Sequence, residues 1–334
     1  MSKVQPAGKD AVIGIDLGGT KLSGALLSED GDIIHKTELF LEGRKGAEAG
    51  ALVTKQLSDL EGFAREYSYR ILSVGICVPG ISNPNEGTVW APNIPGWKAY
   101  PLHREVKNVL SDSGIPLCIE SDRNCAMMGE IWKGSAKGCK HALFVAVGTG
   151  IGMGMVSDGH LINGMNGIAG AIGWMTFDRL YRNDYGHCGQ FEYHASGTGI
   201  VRNAEKLMKE GMESKYLTAG QISARDVFKA YAKKDRVAIR VIEQFTEYWG
   251  MAVANLVSIF NPEKIIFGGG VFGPAADLLD RIFEHAVKWA QPISIKQVDL
   301  SVSSLKGDAG LIGAGYMALK ISTFQNGQGK ENLS

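Results

Sequence analysis

Three short glycine clusters, each placed after a run of apolar and often β-branched residues, are the segments best suited to hold an anion. They are Gly18-Gly19-Thr20-Lys21, Gly148-Thr149-Gly150-Ile151-Gly152 and Gly268-Gly269-Gly270. Without a Cβ, glycine lets backbone N–H groups approach a phosphate closely, and successive N–H groups form a concave nest for it. Thr20 and Thr149 add hydroxyl donors, and Lys21 is either a phosphate contact or a solvated turn lysine. Tight hairpin geometry is the competing account, and it explains one such turn more easily than three. No GxxxxGK followed by Ser or Thr occurs, so a Walker A loop is excluded. Gly148–Gly154 alternates as GxGxGxG and runs into a strand, so it fails as a dinucleotide fingerprint in both spacing and context. Phosphate binding at hairpin turns remains.

Two carboxylates lie where such phosphates need them. Asp16 ends the strand-like run before the first glycine turn. It can orient Mg²⁺ through water, since Mg²⁺ sheds its waters reluctantly, or simply cap the turn by accepting backbone N–H bonds. Asp122 follows the strand-like Pro116–Glu120 and precedes the helical Asn124–Lys133. It is either an ordinary helix N-cap or, facing bound phosphates, the acceptor of a proton from an attacking hydroxyl. Phosphoryl transfer otherwise asks mainly for positioning and charge stabilisation.

The elements that must position these groups form a pattern that occurs twice. Ala11–Asp16 and Leu22–Ser28 read as strands around the first glycine turn, and Asp30-Gly31 turns the chain into a third strand, Asp32–Thr37. Gly46–Tyr69 has apolar residues at helical spacing, and Ile71–Val78 is a strand stopped by Pro79-Gly80. Some 130 residues on, Ala142–Val147, the second glycine turn, Met153–Val156 and Asp158-Gly159 repeat the strand, turn, strand, turn order. Two occurrences suggest two related halves with a cleft between them rather than a solenoid. Ser223–Phe260 reads as mostly helical up to Asn261-Pro262, Lys264–Phe267 and Val298–Leu305 as strands, and Asp308–Ile321 as a closing helix. The tail Gln325–Ser334 is polar and expected to fray. Met127 and Met128 read as core packing, and neither His160 nor His194 has a metal-type partner spacing.

Composition narrows the classes. The 334 residues are 45% apolar and 21% charged, an ordinary globular balance. Thirty-five Lys and Arg offset thirty-five Asp and Glu, which argues against nucleic acid or a membrane surface as partner. No apolar run is long enough for a bilayer, and the polar Met1–Asp10 does not read as a secretory signal. Five Cys without paired CxxC spacing read as free thiols in a reducing cytoplasm.

Taken together the motifs resemble the ROK family (repressors, open reading frames and sugar kinases) of the actin-like, RNase-H-like ATPases, from Val12 to Ala318. Ile15–Lys21 and Gly148–Gly152 look like its two phosphate motifs, and Gly268–Gly270 like its adenosine-side motif. Glu120–Ala126 is similar to the segment that carries the family's catalytic Asp, which implies Asp122 as general base. The resemblance implies an α/β fold of two actin-like domains flanking a cleft. Residues 1–121 with 308–334 would form the small domain, and 122–307 the large one. Only about ten residues precede the first motif, too few for the helix-turn-helix of the repressor branch, so the kinase branch is expected.

Several positions depart from the family pattern. Ser121 stands where Asn usually precedes the catalytic Asp, and Ala171 and Trp174 replace a Glu and a His that contact the sugar, the His also touching zinc. Asn183, Tyr185 and Gln190 stand where three zinc cysteines would be, which leaves His187 and Cys188, too few for a closed site; no structural zinc is expected. Glu192 matches the family's sugar-binding Glu, with an ordinary helix N-terminal carboxylate as its alternative. Asn93 and Gly80 match pocket positions, with Trp90 and Trp97 flanking Asn93. Trp174 either stacks on the sugar or fills the space left by zinc.

The expectation is a kinase moving the γ-phosphoryl of ATP, with Mg²⁺ near Asp16, onto a hexose hydroxyl, the 6-hydroxyl of glucose by default. Domain closure would exclude water. Polyphosphate as donor and an N-acetylated or otherwise modified sugar as acceptor stay open, as does a sugar-sensing regulator that has lost the chemistry. Many relatives are dimers or tetramers, so a homo-oligomer is expected.

Overall fold

A computed structural model describes residues 9–111 and 114–325. Most of the opening Met1–Asp10 and nearly all of the polar tail lie outside the described residues. The chain forms two compact units. The first comprises the described residues of Met1–Lys137, Asn163–Ile168 and Gly307–Ser334, and the second Gly138–Ile162 and Ala169–Lys306.

The first unit is built on a five-stranded sheet. β1 (Lys9–Leu17), β2 (Lys21–Ser28) and β3 (Ile33–Phe40) run antiparallel as a meander. α1 (Gly46–Glu66) crosses to β4 (Tyr69–Val78), which pairs parallel to β1. The short hairpin β5 (Ile81–Asn83) and β6 (Thr88–Trp90) and α2 (Leu102–Leu110) lead to β7 (Leu117–Ser121), parallel to β4, and α3 (Asp122–Lys133) follows without a break. The sheet order is β3-β2-β1-β4-β7. Ala11, Val12, Ile13 and Ile15 are all fully buried, on both faces of β1, because α1 covers one face and the closing helix Ala309–Gln325 the other. That two-sided burial is why the run shows no alternation in sequence.

Glycine sets how near the closing helix lies. A Cβ on Gly14 of β1 would meet the Leu311 carbonyl at 2.7 Å, and one on Gly75 of β4 would overlap the Ala314 carbonyl. Gly129 of α3 and Gly313 of the closing helix face each other's backbones in the same way. The expected division between Ser121 and Asp122 separates α3 from this unit; the glycine-mediated contact with the closing helix keeps α3 within it. Asn163–Ile168 also belongs to this unit.

The second unit repeats the plan. β8 (Ala142–Val147), β9 (Ile151–Ser157) and β10 (His160–Leu161) form a meander. After α4 (Gln190–Ala195), α5 (Gly197–Lys209), α6 (Ala224–Ala232) and α7 (Arg236–Phe260) come β11 (Lys264–Gly268), α8 (Leu279–Val287) and β12 (Asp299–Val302). The order is β10-β9-β8-β11-β12, with β11 parallel to both β8 and β12. Trp249, fully buried on α7, packs edge-on against Phe191, Phe267 and Phe272. The helical stretch from Ser223 is two helices, because Lys234 takes positive φ and the Asp235 side chain caps α7 by accepting the N–H groups of Val237 and Ala238. Asn261 in the left-handed region and Pro262 end it.

Candidate active site

In the first unit the parallel register places Asp16, Cys77 and Glu120 side by side across β1, β4 and β7, with Asp122 two residues beyond Glu120. Asp16 is partly exposed, yet desolvation by the surrounding protein raises its pKa to about 6, and the negative charges of Asp122 and Asp308 push the same way. A hydrogen bond from the Cys77 thiol and the charge of Lys21 oppose the shift. A Cβ on Gly310, in the first turn of the closing helix, would lie 2.8 Å from Asp16 Oδ2, so the carboxylate rests against a helix N-terminus that only glycine leaves open. The neighbours Cys77, Asp308 and Gly310 were not singled out from sequence, because only strand register and helix docking bring them to Asp16.

Asp122 is the first residue of α3, with Ser121 as the N-cap residue. Its side chain is accessible, and its pKa is raised by desolvation, opposed by the Arg123 N–H that donates to Asp122 Oδ1 at 2.8 Å. Ser121 is buried, and its Oγ has no hydrogen-bond partner among the described residues. Gly80 is held by packing, since a Cβ there would overlap the Trp90 carbonyl. Asn93 is exposed; of the tryptophans flanking it, Trp97 is buried against Tyr100 and Trp90 is 46% exposed.

The first glycine turn is open: among the described residues nothing lies within 4 Å of a Cβ on Gly19, and Thr20 is exposed. Lys21 pairs with Glu38 at 2.7 Å. In the second unit the turn proper is Gly148–Gly150, because Gly152 already pairs with Ala146 inside β9. This turn is braced from behind. Glu192 Oε2 accepts the Ile151 N–H at 2.7 Å, Gly148 O accepts from Gly197 N at 2.8 Å, and Thr149 O accepts from the Thr198 hydroxyl at 2.8 Å. Cβ atoms on Gly150 and Gly173 would both press on the Glu192 carboxylate, whose pKa burial raises. In the third cluster Gly268 abuts Phe144 and Gly269, at φ +87, abuts the Val147 backbone, while Gly270 has free space.

Trp174 is 57% exposed, so it does not fill an internal space. Tyr185 does. Its ring is buried, its hydroxyl lies 3.1 Å from His194 Nε2, and it packs edge-on against Tyr193. His194 in turn stacks on Tyr248, and burial lowers its pKa to about 4, which keeps it neutral. The segment Asn183–Glu192 is therefore held by aromatic packing, and its side chains do not fit a four-ligand zinc site. No group of three or more His, Cys, Asp or Glu able to hold a metal ion occurs among the described residues. Of the residues described above, Asp16 is the carboxylate that could meet a Mg²⁺ carried by phosphates and waters. No helix among the described residues is long and apolar enough to cross a membrane.

Comparison with known proteins agrees with this fold and motif set. The ROK family model matches residues 12–321, and the chain belongs to that family. It is 34% identical to a glucokinase of Halalkalibacterium halodurans over 91% of this chain and 94% of that protein. It is 31% identical to a putative xylose repressor of Caldicellulosiruptor sp. over 92% of this chain and 78% of that one. Among solved structures, a ROK family glucokinase from Streptomyces griseus in complex with glucose and AMPPNP superposes with a TM-score of 0.72 at 25% identity, covering 93% of this chain and 99% of that chain. The fold is thus the actin-like ATPase fold of the ROK sugar kinases.

Proposed function

We propose that this chain is an ATP-dependent sugar kinase that phosphorylates a hexose, with glucose as the default acceptor and its 6-hydroxyl as the nucleophile. The observation that carries the reading is the placing of Asp16 near the end of β1 and of Asp122 at the start of α3, directly after β7 of the same sheet, each desolvated and near enough for the charge of Asp122 to raise the pKa of Asp16. The likeness to glucokinases, one of them solved with glucose and a nucleotide, supports it.

In this mechanism Asp122 accepts the proton of the sugar hydroxyl as its oxygen attacks the γ-phosphorus. The new P–O bond forms as the bond to the β-phosphate bridging oxygen breaks, and ADP leaves. Desolvation raises the Asp122 pKa, which makes it a better base than an ordinary aspartate. Gly18–Thr20 and Gly148–Gly150 present N–H groups and hydroxyls to the phosphates, and Gly270 accommodates the nucleotide. Bound Mg²⁺ would neutralise charge on the phosphates, and Asp16 would orient it through water. Glu192, Asn93 and Trp174 are the proposed sugar contacts.

Asp122→Asn is expected to leave folding and nucleotide affinity intact and to lower sugar-dependent ADP release by about 10²–10⁴-fold. Near-normal turnover would reject Asp122 as the base. A sugar-binding regulator is the second reading, favoured by the repressor relative and by Ser121, Ala171 and Trp174. Saturable glucose binding with no ADP release from ATP or polyphosphate would select it.

A further inference from the structure

The residues on either side of Asp122 carry an uneven share of unpaired groups. Among the described residues five buried side-chain polar atoms have no hydrogen-bond partner, and three of them are Ser121 Oγ, Arg123 Nε and Asn124 Oδ1. Leaving such a group unpaired costs stability, and proteins tolerate that cost chiefly at functional sites, where a side chain is held for its position.

Two of these residues hold a strap. Asn163–Ile168 belongs to the first unit, although the chain on both sides of it belongs to the second. Every residue of the strap is exposed except the half-buried Gly167, and Met165 is 99% exposed, so the apolar core does not fasten it. Among the described residues two hydrogen bonds do, both from the start of α3. Arg123 Nη2 donates to Gly167 O at 2.8 Å, and Asn124 Nδ2 donates to Asn163 Oδ1 at 2.9 Å.

The hold works in both directions. Asn124 is buried and is also fixed from behind, where it donates to Glu120 Oε1 at 3.2 Å. Arg123 has no such second tie: among the described residues the Gly167 carbonyl is the one hydrogen-bond partner of its guanidinium. A long side chain of this kind samples many rotamers unless something fixes its end. Fixed by the strap, its positive charge bears on Asp122 and favours the ionised carboxylate, the form that can take a proton. The Arg123 backbone N–H meanwhile occupies Asp122 Oδ1 at 2.8 Å, which leaves Oδ2 without that bond for a hydroxyl.

We propose that Arg123 is a positioning residue for proton transfer from the sugar to Asp122, and that the strap Asn163–Ile168 is what holds Arg123 in place. The proposal rests on the sugar-kinase reading above. With the strap docked, the guanidinium keeps Asp122 charged and aligned for the hydroxyl. With the strap loose, the guanidinium swings into water, where its charge is screened. Arg123 touches neither sugar nor nucleotide in this scheme, so it acts on the rate of transfer and leaves the binding of Mg-ATP unchanged.

The test is sugar-dependent ADP release from the full chain across a panel of hexoses, in the wild type, Arg123→Met, Arg123→Lys, Asn163→Ala and Arg123→Met combined with Asn163→Ala. Arg123→Met is expected to lower kcat about tenfold with the KM for Mg-ATP and the melting temperature unchanged, and Arg123→Lys to recover part of the loss. Asn163→Ala removes the acceptor of Asn124 and loosens the strap without altering α3; it should lower kcat about threefold. The combined variant should be no slower than Arg123→Met alone, because the two changes break one arrangement. An active wild type with unchanged kcat in Arg123→Met overturns the proposal and leaves the kinase reading standing. So do losses that multiply in the combined variant, which would mean that Arg123 acts without the strap. A lowered melting temperature with kcat and ATP affinity falling together would reduce Arg123 to a packing role and overturn it as well. Silence of the wild type with every hexose rejects the kinase reading, and the proposal falls with it.

Discussion

The two units share one strand order and differ in what their first glycine turn carries. In the first, the penultimate residue of β1 is Asp16 and the turn that follows is open around Gly19. In the second, the penultimate residue of β8 is Ala146, and the turn is packed from behind by Glu192, Gly197 and Thr198. The same strand order holds a desolvated acid beside an open turn in one unit and a hydrogen-bonded rim of backbone groups in the other. The charge that a carboxylate contributes in one unit is used in the other to hold a loop.

The largest break in that contrast comes from Asp16→Asn. It is expected to lower kcat/KM for Mg-ATP by about 10²-fold or more, as loss of a preorganised electrostatic group does. The wild type should lose activity on the acid side as pH falls through about 6, where Asp16 takes up its proton. Stability should move the opposite way. A carboxyl with a raised pKa favours the native state most below its unfolded pKa, and that advantage is lost as pH rises through about 6. Asp16→Asn should therefore be more stable than wild type at pH 8, on the order of 1–3 kcal/mol, with the gap closing toward pH 4. Thermal melts across that range check it; a variant that melts lower at pH 8 would contradict the desolvation account.

Gly269→Ala tests the packed side of the comparison. Positive φ and overlap with the Val147 backbone should cost roughly 1–3 kcal/mol in denaturant melts. Glu192→Ala leaves the Ile151 N–H without its acceptor, a loss of about 1–3 kcal/mol that Glu192→Gln should recover in part. Both variants should also raise the KM for sugar if Glu192 contacts it; an unchanged KM would leave Glu192 as a brace alone. The smallest effect on stability belongs to Gly19→Ala, within about 0.5 kcal/mol because the space is empty. A raised KM for ATP with unchanged melting would show that the open turn receives phosphate. An unchanged KM would remove it from the site.

The β-branched runs, Asp-Gly turns and glycine clusters made both meanders legible, since these are local signals. Gly46–Tyr69 was legible for the same reason, and α1 covers nearly that stretch. The end of Ser223–Phe260 was readable from Asn261-Pro262, but its interruption depends on the conformation of Lys234. Tertiary meaning was less accessible. Gly80, Gly268 and Gly269 are phosphate or pocket candidates by type, and their neighbours show that packing alone demands glycine there. The departures at Asn183, Tyr185 and Gln190 were visible, yet nothing local shows that Tyr185 would turn inward onto His194. The return of Asn163–Ile168 to the first unit had a faint signal, the paired Asn-Gly turns at 163–164 and 166–167.

The closing helix also dictates an order of events during synthesis. The ribosome delivers β1 and β4 first and the helix that covers them last, after the whole of the second unit has emerged. Until Ala309–Gln325 arrives, the faces around Gly14 and Gly75 stay uncovered and Asp16 lacks the helix end beside it. The inserted unit can thus fold on the ribosome while the unit that brackets it waits, and a chain halted near residue 306 would carry Asp16 and Asp122 without the helix that packs against β1 and α3.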